Sequence, residues 1–165
     1  WSSDVCSSDL PSGKCELFSA RLASAGLDGL PDYIPNHEQA QLAPRFPLAM
    51  ISPPARNFLN SSFVNVESLR AAEREPILEM NPEDAESRHL HNGDTVRVFN
   101  ARGSYLCRLQ ITQRARSGLV VGLGVWWRKM GLNGTNVNEL TSQRLTDLGR
   151  GPTFYDCQVQ VERSD

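Results

Sequence analysis

Residues 95–112 decide the fold, and they read Thr-Val-Arg-Val-Phe-Asn-Ala-Arg-Gly-Ser-Tyr-Leu-Cys-Arg-Leu-Gln-Ile-Thr. Apolar and polar side chains alternate in two runs, 95–99 and 104–112, as in β-strands with one buried face. Between these runs, residues 100–103 include the asparagine and glycine that are common in tight turns. The stretch therefore predicts a β-hairpin.

Four more strands are predicted around this hairpin. Two apolar runs precede it, residues 46–51 and 76–80, and Pro53-Pro54 ends the first because proline cannot donate to a strand ladder. Two runs follow it: residues 119–126 are continuously apolar, and residues 156–162 alternate. Six strands with short helices between them predict a mainly β domain, most economically a closed barrel.

Helical and extended segments are predicted between the strands. Residues 66–73 form a short helix, and a second begins at Asn81-Pro82, with asparagine as N-cap and proline as the first helical residue. Residues 27–47 contain four prolines and no sustained periodicity, which predicts an extended linker rather than a packed element. We accordingly assign residues 11–45 to an arm from a preceding domain and 46–165 to the barrel.

Residues 1–10 read unlike the rest of the chain, with a repeated Ser-Ser-Asp and no element pattern. They are similar to the translated sequencing-adapter sequence found at the ends of reading frames from assembled environmental DNA. We expect them to be non-native and the natural chain to begin upstream, so Cys6 carries no information.

The composition limits the classes of function. A chain of 165 residues with 39% apolar and 22% charged side chains is globular and long enough for one domain. Its net charge of −2 argues against nucleic acid and anionic membranes as partners. No apolar run approaches the roughly 18–20 residues of a membrane span.

Familiar catalytic and metal-binding patterns are missing from the sequence. The four cysteines show no CxxC pair, so a zinc or iron–sulfur site is not expected and reduced thiols are. His89 and His91 could bind a metal, but no partner stands at a suitable spacing, and a surface helix cap is the favoured interpretation. Gly122-Leu123-Gly124 lacks the third glycine of a dinucleotide fingerprint.

Two stretches favour ligand binding, each with a structural alternative. Residues 136–157 are dense in amide, hydroxyl and carboxylate groups among glycines, which suits a polar ligand with many oxygens but also a solvated connection. Of Trp126 and Trp127, one should face the core. The other needs a partner, either another domain or the flat ring of a ligand.

Six motifs then form a pattern. They are Pro11-Ser-Gly-Lys14, Ile51-Ser-Pro53 with Phe58-Leu-Asn-Ser-Ser-Phe63, Asn81-Pro-Glu-Asp-Ala85, Asn92-Gly-Asp94 to Arg102-Gly103, Asn138-Glu-Leu-Thr141, and Pro152-Thr-Phe154. In this order they resemble the C-terminal dinucleotide-binding domain of molybdopterin oxidoreductases, the dimethyl-sulfoxide-reductase family. The resemblance spans residues 11–162. It implies a six-stranded double-psi β-barrel that closes over a bis(molybdopterin guanine dinucleotide) molybdenum cofactor.

The resemblance also implies what lies outside this chain. The molybdenum ligand and an iron–sulfur cluster would belong to missing upstream catalytic domains of the same polypeptide, with an electron-transfer subunit as a further partner. The chain is then expected to be a fragment that is inactive alone, and a cytoplasmic location is favoured over a periplasmic one. The alternative is a free-standing double-psi barrel that acts as an interaction or substrate-recognition module.

The resemblance places cofactor contacts on the matching motifs, and it implies no catalytic or metal-ligating residue here. The expected cofactor-binding residues are Ile51, Ser52, Pro53, Asn60, Ser61, Trp126, Asn138, Phe154 and Tyr155. Asn138 matches the family's pterin-contacting asparagine. Two departures weaken ionic contacts: Tyr155 stands where many members place a basic residue, and Ser52-Pro53-Pro54 replaces Thr-Gly-Arg.

Overall fold

Six strands form a closed barrel in a computed structural model that describes residues 13–30 and 32–164. They are β1 (Leu48–Ile51), β2 (Ile77–Met80), β3 (Thr95–Phe99), β4 (Ser104–Ile111), β5 (Leu119–Gly122) and β6 (Cys157–Arg163). Their order around the barrel is β1-β5-β2-β4-β3-β6. The β1–β5 and β2–β4 pairs are parallel and the other four are antiparallel. The predicted fold, a mainly β, six-stranded double-psi barrel with short helices, is confirmed.

The hairpin buries one face in the core of the barrel, as its alternating pattern predicts. Val96 and Val98 of β3 are fully buried, and they pair with Cys107 and Tyr105 of β4, which are buried too. Because successive side chains of a strand face opposite sides, this register directs one set of hairpin side chains into the core. The buried cluster that they join draws on all six strands described.

Four helices are described: α1 (Ala20–Ser24), α2 (His37–Leu42), α3 (Glu67–Glu73) and α4 (Pro82–Glu86). Helix α4 begins as predicted, with the Asn81 side chain accepting a hydrogen bond from the Glu83 amide and proline at the first position. The same Asn81 side chain donates to the Ala115 carbonyl at 2.9 Å. One residue therefore both starts the helix and ties it to the loop after β4.

The chain divides into two compact units between Pro35 and Asn36. In the first unit Ser19 caps α1, and its backbone amide donates to the Gly29 carbonyl at 2.8 Å. The second unit contains α2 and the whole barrel. The predictions for residues 1–10, including Cys6, and part of the motif at residues 11–14 lie outside the described residues.

The prediction of an extended, unpacked linker over residues 27–47 is wrong at α2. Asn36 caps this helix by accepting a hydrogen bond from the Gln39 amide, and Glu38 is only 1% exposed. The prolines bound the helix rather than prevent it, since Pro35 precedes the cap and Pro44 follows the last turn. The assignment of residues 11–45 to an arm from another domain stays a prediction.

Strand β5 is also shorter than predicted, because it ends at Gly122 rather than at Trp126. Gly124 adopts a φ of +73°, a conformation that side chains rarely tolerate, and its amide donates to the Pro53 carbonyl at 2.9 Å. A Cβ at Gly124 would lie 3.1 Å from that of Ala55. The chain therefore leaves the barrel here and packs against the loop that follows β1.

Inside the barrel, Gly122 lies very close to the side-chain hydroxyl of Tyr105. A Cβ at Gly122 would lie 2.8 Å from the Tyr105 hydroxyl oxygen, too close for the buried ring to accommodate. That hydroxyl is buried and has no hydrogen-bond partner. A buried polar group without a partner lowers stability, so Tyr105 carries a cost that its ring packing offsets.

These contacts predict opposite effects for two substitutions. Gly122→Ala should lower the free energy of unfolding by about 1–3 kcal/mol through overpacking. Tyr105→Phe, which removes the unpaired hydroxyl, should be neutral or stabilising and should restore part of the loss in the double variant. Urea unfolding measures all three, with Gly149→Ala, where the nearest atom lies 3.9 Å away, as the control. The close contact would be contradicted if Gly122→Ala lowered the free energy of unfolding equally in the unsubstituted protein and in the Tyr105→Phe variant.

Candidate functional site

The strand pairing collects several loops at one end of the barrel. β1 and β5 are parallel, with Ile51 beside Val121, so both finish at this end. β6 starts there because Met50 of β1 pairs with Cys157. The hairpin turn lies there as well, since Phe99 pairs with Gln160 near the start of β6. We call this the loop end; it carries residues 52–66, 100–103 and 123–156.

The loop after β1 supplies the first group of predicted contacts. Ile51 ends β1, and Pro53, like Ile51, is half-buried. Ser52 is 9% exposed, and its hydroxyl has no hydrogen-bond partner among the described residues. Asn60 and Ser61 are exposed at the tip of a tight turn closed by paired hydrogen bonds between Leu59 and Ser62.

Trp126 and Trp127 take the two roles that the sequence predicts for adjacent residues. Trp126 is 4% exposed and packs edge-to-face on Phe58, with 5.1 Å between the ring centres. Trp127 is half-buried, and its indole N–H donates to the Ser61 carbonyl at 2.7 Å. The partner required by the outward tryptophan is thus this loop. Trp126 supports the loop from beneath, and a cofactor contact for it stays a prediction.

Asn138 lies in a short 3-10 turn, Val137–Glu139. Asn136 holds this turn in place, since its side chain accepts from the Asn138 amide at 3.0 Å and donates to the Trp126 carbonyl at 2.8 Å. Glu139 pairs with Arg128. The Asn138 side chain itself is exposed and makes no hydrogen bond to any residue that the structure describes. The turn therefore presents a free amide at the loop end.

Phe154 and Tyr155 form an aromatic pair just before β6. Their ring centres lie 4.5 Å apart in an edge-to-face arrangement, and the residues are 40% and 47% exposed. Because β6 starts at the loop end, these rings belong to the same surface as Asn138. All the predicted contact residues therefore lie at one end of the barrel, although residues 51–61, 126–138 and 154–155 are far apart in the sequence.

Sequence reasoning missed an ion pair between α2 and the hairpin turn. Arg102 donates to both carboxylate oxygens of Glu38, at 2.6 Å from Nη1 and 3.0 Å from Nη2. The backbone N–H of Gln158 also donates to this carboxylate, at 3.0 Å. An acidic residue in a proline-bounded segment carries no pattern that predicts such a partner. The pair fixes α2 on the barrel beside the first residues of β6.

The Leu140 carbonyl, which lies just after the Asn138 turn, accepts hydrogen bonds from three side chains. Arg102 Nε donates to it at 2.7 Å, Asn100 Nδ2 at 2.9 Å and the Cys157 thiol at 3.2 Å. Burial alone would lower the pKa of Arg102, but the hydrogen bond and charge of Glu38 outweigh it, and the pKa is raised. The guanidinium is therefore held charged at this point.

Neither a metal-binding cluster nor a membrane-spanning helix is found among the described residues. Residues 13–30 and 32–164 contain no group of three or more His, Cys, Asp or Glu side chains that could hold a metal ion. None of the helices described there is long and apolar enough to cross a membrane. His89 and His91 are both exposed at the end of α4, as the surface-cap interpretation predicts.

Comparison with known proteins identifies the family. The model described as "Molydopterin dinucleotide binding domain" matches residues 48–158, which span the barrel from β1 to the start of β6. The chain therefore belongs to the molybdopterin dinucleotide-binding domains of the dimethyl-sulfoxide-reductase family, and the resemblance seen in its motifs is confirmed.

Individual relatives agree with this assignment. "Probable oxidoreductase YoaE" from Bacillus subtilis (strain 168) is 36% identical over 93% of this chain and 22% of its own length. "Dimethyl sulfoxide reductase DmsA" from Escherichia coli (strain K12) is 36% identical over 93% of this chain and 21% of its own. Acetylene hydratase from Pelobacter acetylenicus shares the fold, with a TM-score of 0.72 at 21% identity over 93% of this chain and 24% of its own. The chain thus spans about a fifth of the length of the curated relatives.

Two buried thiols make the stability of the barrel sensitive to alkali. Burial raises the pKa of Cys107 from 9.0 to about 12, although the neighbouring Tyr105 side chain lowers it in part. Burial also raises the pKa of Cys157 from 9.0 to about 11, although the positive charge of Arg102 lowers it in part. Above pH 9 the unfolded chain loses these protons while the folded chain retains them. Deprotonation therefore favours the unfolded state.

We expect the free energy of unfolding to fall between pH 9 and about pH 11, by up to about 1.4 kcal/mol per pH unit for each thiol. Urea unfolding under reducing conditions at several pH values measures this slope. Cys107→Ala should remove the contribution of one thiol from this slope, whatever the substitution does to the free energy of unfolding at neutral pH. An unchanged slope in that variant would show that Cys107 does not contribute.

Proposed function

We propose that the loop end of this barrel holds one side of a bis(molybdopterin guanine dinucleotide) cofactor in a larger molybdenum-dependent oxidoreductase. The observation that carries the proposal is the Asn138 amide, which is held outward by its turn and has no partner among the described residues. Family membership supports the same ligand class, because the matched model is that of a dinucleotide-binding domain.

The chemistry of the loop end fits such a ligand. A pterin edge presents amide-like donors and acceptors, which a neutral asparagine side chain can match two at a time. Ser52 offers a hydroxyl that has no partner among the described residues and is not one of their buried unpaired atoms, so it is open to a ligand. A ligand that reaches into the loop after β1 would satisfy it. The residues present therefore fit the cofactor.

Other residues at the loop end suit the remaining parts of a dinucleotide. Ser61 and Asn60 add exposed polar side chains at the tip of the β1 loop, where a pyrophosphate could accept hydrogen bonds. Lys129, whose ammonium group lies 5.2 Å from the Trp127 ring centre, adds a positive charge at the same end. Tyr155 contributes a half-exposed ring in place of the basic residue of many relatives. In this arrangement binding rests mainly on hydrogen bonds.

The bound cofactor would supply two-electron redox chemistry at its molybdenum, and the residues of this chain would bind and orient it. We propose that the metal ligand, and an iron–sulfur cluster where one is present, lie in other parts of the polypeptide. The lengths of the relatives support this, since the chain corresponds to only 21–22% of YoaE and DmsA. On this proposal the chain alone is inactive, and an electron-transfer subunit is a further partner of the whole enzyme.

The test substitutes Asn138→Ala in the full-length parent protein. We expect about tenfold weaker cofactor retention, because one or two hydrogen bonds to a buried ligand are lost. The melting temperature without cofactor should stay unchanged, since the side chain bonds to no described residue. Molybdenum and pterin content after gel filtration measure retention.

A matched control comes from the opposite end of the barrel. Gln113 is an exposed amide just past the end of β4, and β4 begins at the loop end. Gln113→Ala should therefore retain the cofactor like the unsubstituted protein. Unchanged molybdenum and pterin content in Asn138→Ala, or an equal loss in both variants, would contradict the proposed site.

A further inference from the structure

We infer that Glu38 and Arg102 are positioning residues for the cofactor contact of Asn138. They hold the Leu140 carbonyl, and through it the turn that presents the Asn138 amide. This inference rests on the proposed function. It assigns a role to a helix, α2, that lies outside the residues 48–158 matched by the family model.

The first step is the rigidity of the turn at its C-terminal end. Leu140 is fully buried, and its carbonyl is bound by three side chains from the hairpin turn and from β6. Asn138 is two residues earlier in the chain. At the other end of the turn, Asn136 is tied to the Trp126 carbonyl. The turn is therefore fixed on both sides, and it presents the exposed Asn138 side chain without a partner among the described residues.

The second step is the geometry of the guanidinium group. Arg102 uses Nη1 and Nη2 for the two oxygens of Glu38, which leaves Nε for the Leu140 carbonyl at 2.7 Å. A two-point contact with a carboxylate fixes the plane of a guanidinium, and so the direction of its third donor. The Arg102 side chain is 32% exposed and would otherwise be able to turn toward water.

The third step is the environment of Glu38, whose carboxylate is buried and bonded to Arg102. Its side chain is 1% exposed, and both its oxygens are hydrogen-bonded, to Arg102 and to the backbone N–H of Gln158. A buried carboxylate is costly unless it is paired in this way. Replacing the charge of the pair with apolar groups could keep the fold, but it would leave the Leu140 carbonyl without its strongest donor.

Arg102→Lys separates the ion pair from the positioning role. Lysine keeps a positive charge for Glu38, but its compact ammonium group cannot bind both carboxylate oxygens and the Leu140 carbonyl together in the same fixed geometry. We expect the full-length protein with this substitution to fold and to release its cofactor about tenfold faster. Fluorescence of the released pterin after dilution measures the rate.

A double-mutant cycle with Asn138→Ala then distinguishes positioning from general stabilisation. If Arg102 acts through Asn138, the double variant should release the cofactor no faster than Asn138→Ala alone. A purely structural role would instead multiply the two rates, to about a hundredfold. Glu162→Gln, which breaks the exposed Arg97–Glu162 pair between β3 and β6, is the control and should release normally.

Glu38→Gln repeats the cycle in case Arg102→Lys does not fold. Its arginine partner is partly exposed and can be solvated, so the fold should tolerate the change. Normal release by either folded variant, or rates that multiply, would overturn the inference while leaving the proposed function intact. Normal release by Asn138→Ala itself would instead contradict the proposed site.

Discussion

The loop end of this barrel depends on the ion pair between Glu38 and Arg102. It joins three parts of the chain that are distant in sequence: α2, the hairpin turn, and the Leu140 carbonyl behind the Asn138 turn. A two-point guanidinium–carboxylate contact is strong and directional, and here one partner is almost completely buried. Breaking such a pair leaves a buried charge without compensation. The geometry of the surface is thereby coupled to the stability of the fold.

The barrel explains how the loop-end residues come together although they are far apart in the sequence. Two parallel strand pairs bring the ends of β1 and β5 together, and antiparallel pairing brings the start of β6 beside them. Glycines at 122 and 124 let the chain leave β5 and pack its tryptophans under the β1 loop. Most of the predicted contact residues there carry neutral hydrogen-bonding groups or half-exposed rings, with the charge of Lys129 nearby. Such groups suit a large polar ligand.

Local patterns in the sequence predicted most of the fold but little of what supports the site. The alternation in residues 95–111 and the Asn81-Pro82 cap are local signals, and the structure confirms both. The end of β5 at Gly122 depends on packing against the β1 loop, which no local pattern records. The Glu38–Arg102 ion pair was not predicted for the same reason, because the two residues are 64 positions apart in the sequence. The composition of residues 136–157 favours a polar ligand, but only the resemblance to a family assigns a cofactor contact to Asn138, and that contact stays a proposal.

The most direct test of this account is a structure of the full-length parent protein with its molybdenum cofactor bound. We predict that the cofactor lies on the loop end, with the Asn138 amide and the Ser52 hydroxyl within hydrogen-bonding distance of it. The Glu38–Arg102 pair should be intact beneath them, with Arg102 still bound to the Leu140 carbonyl. A cofactor bound at the opposite end of the barrel, or out of reach of Asn138, would contradict the account.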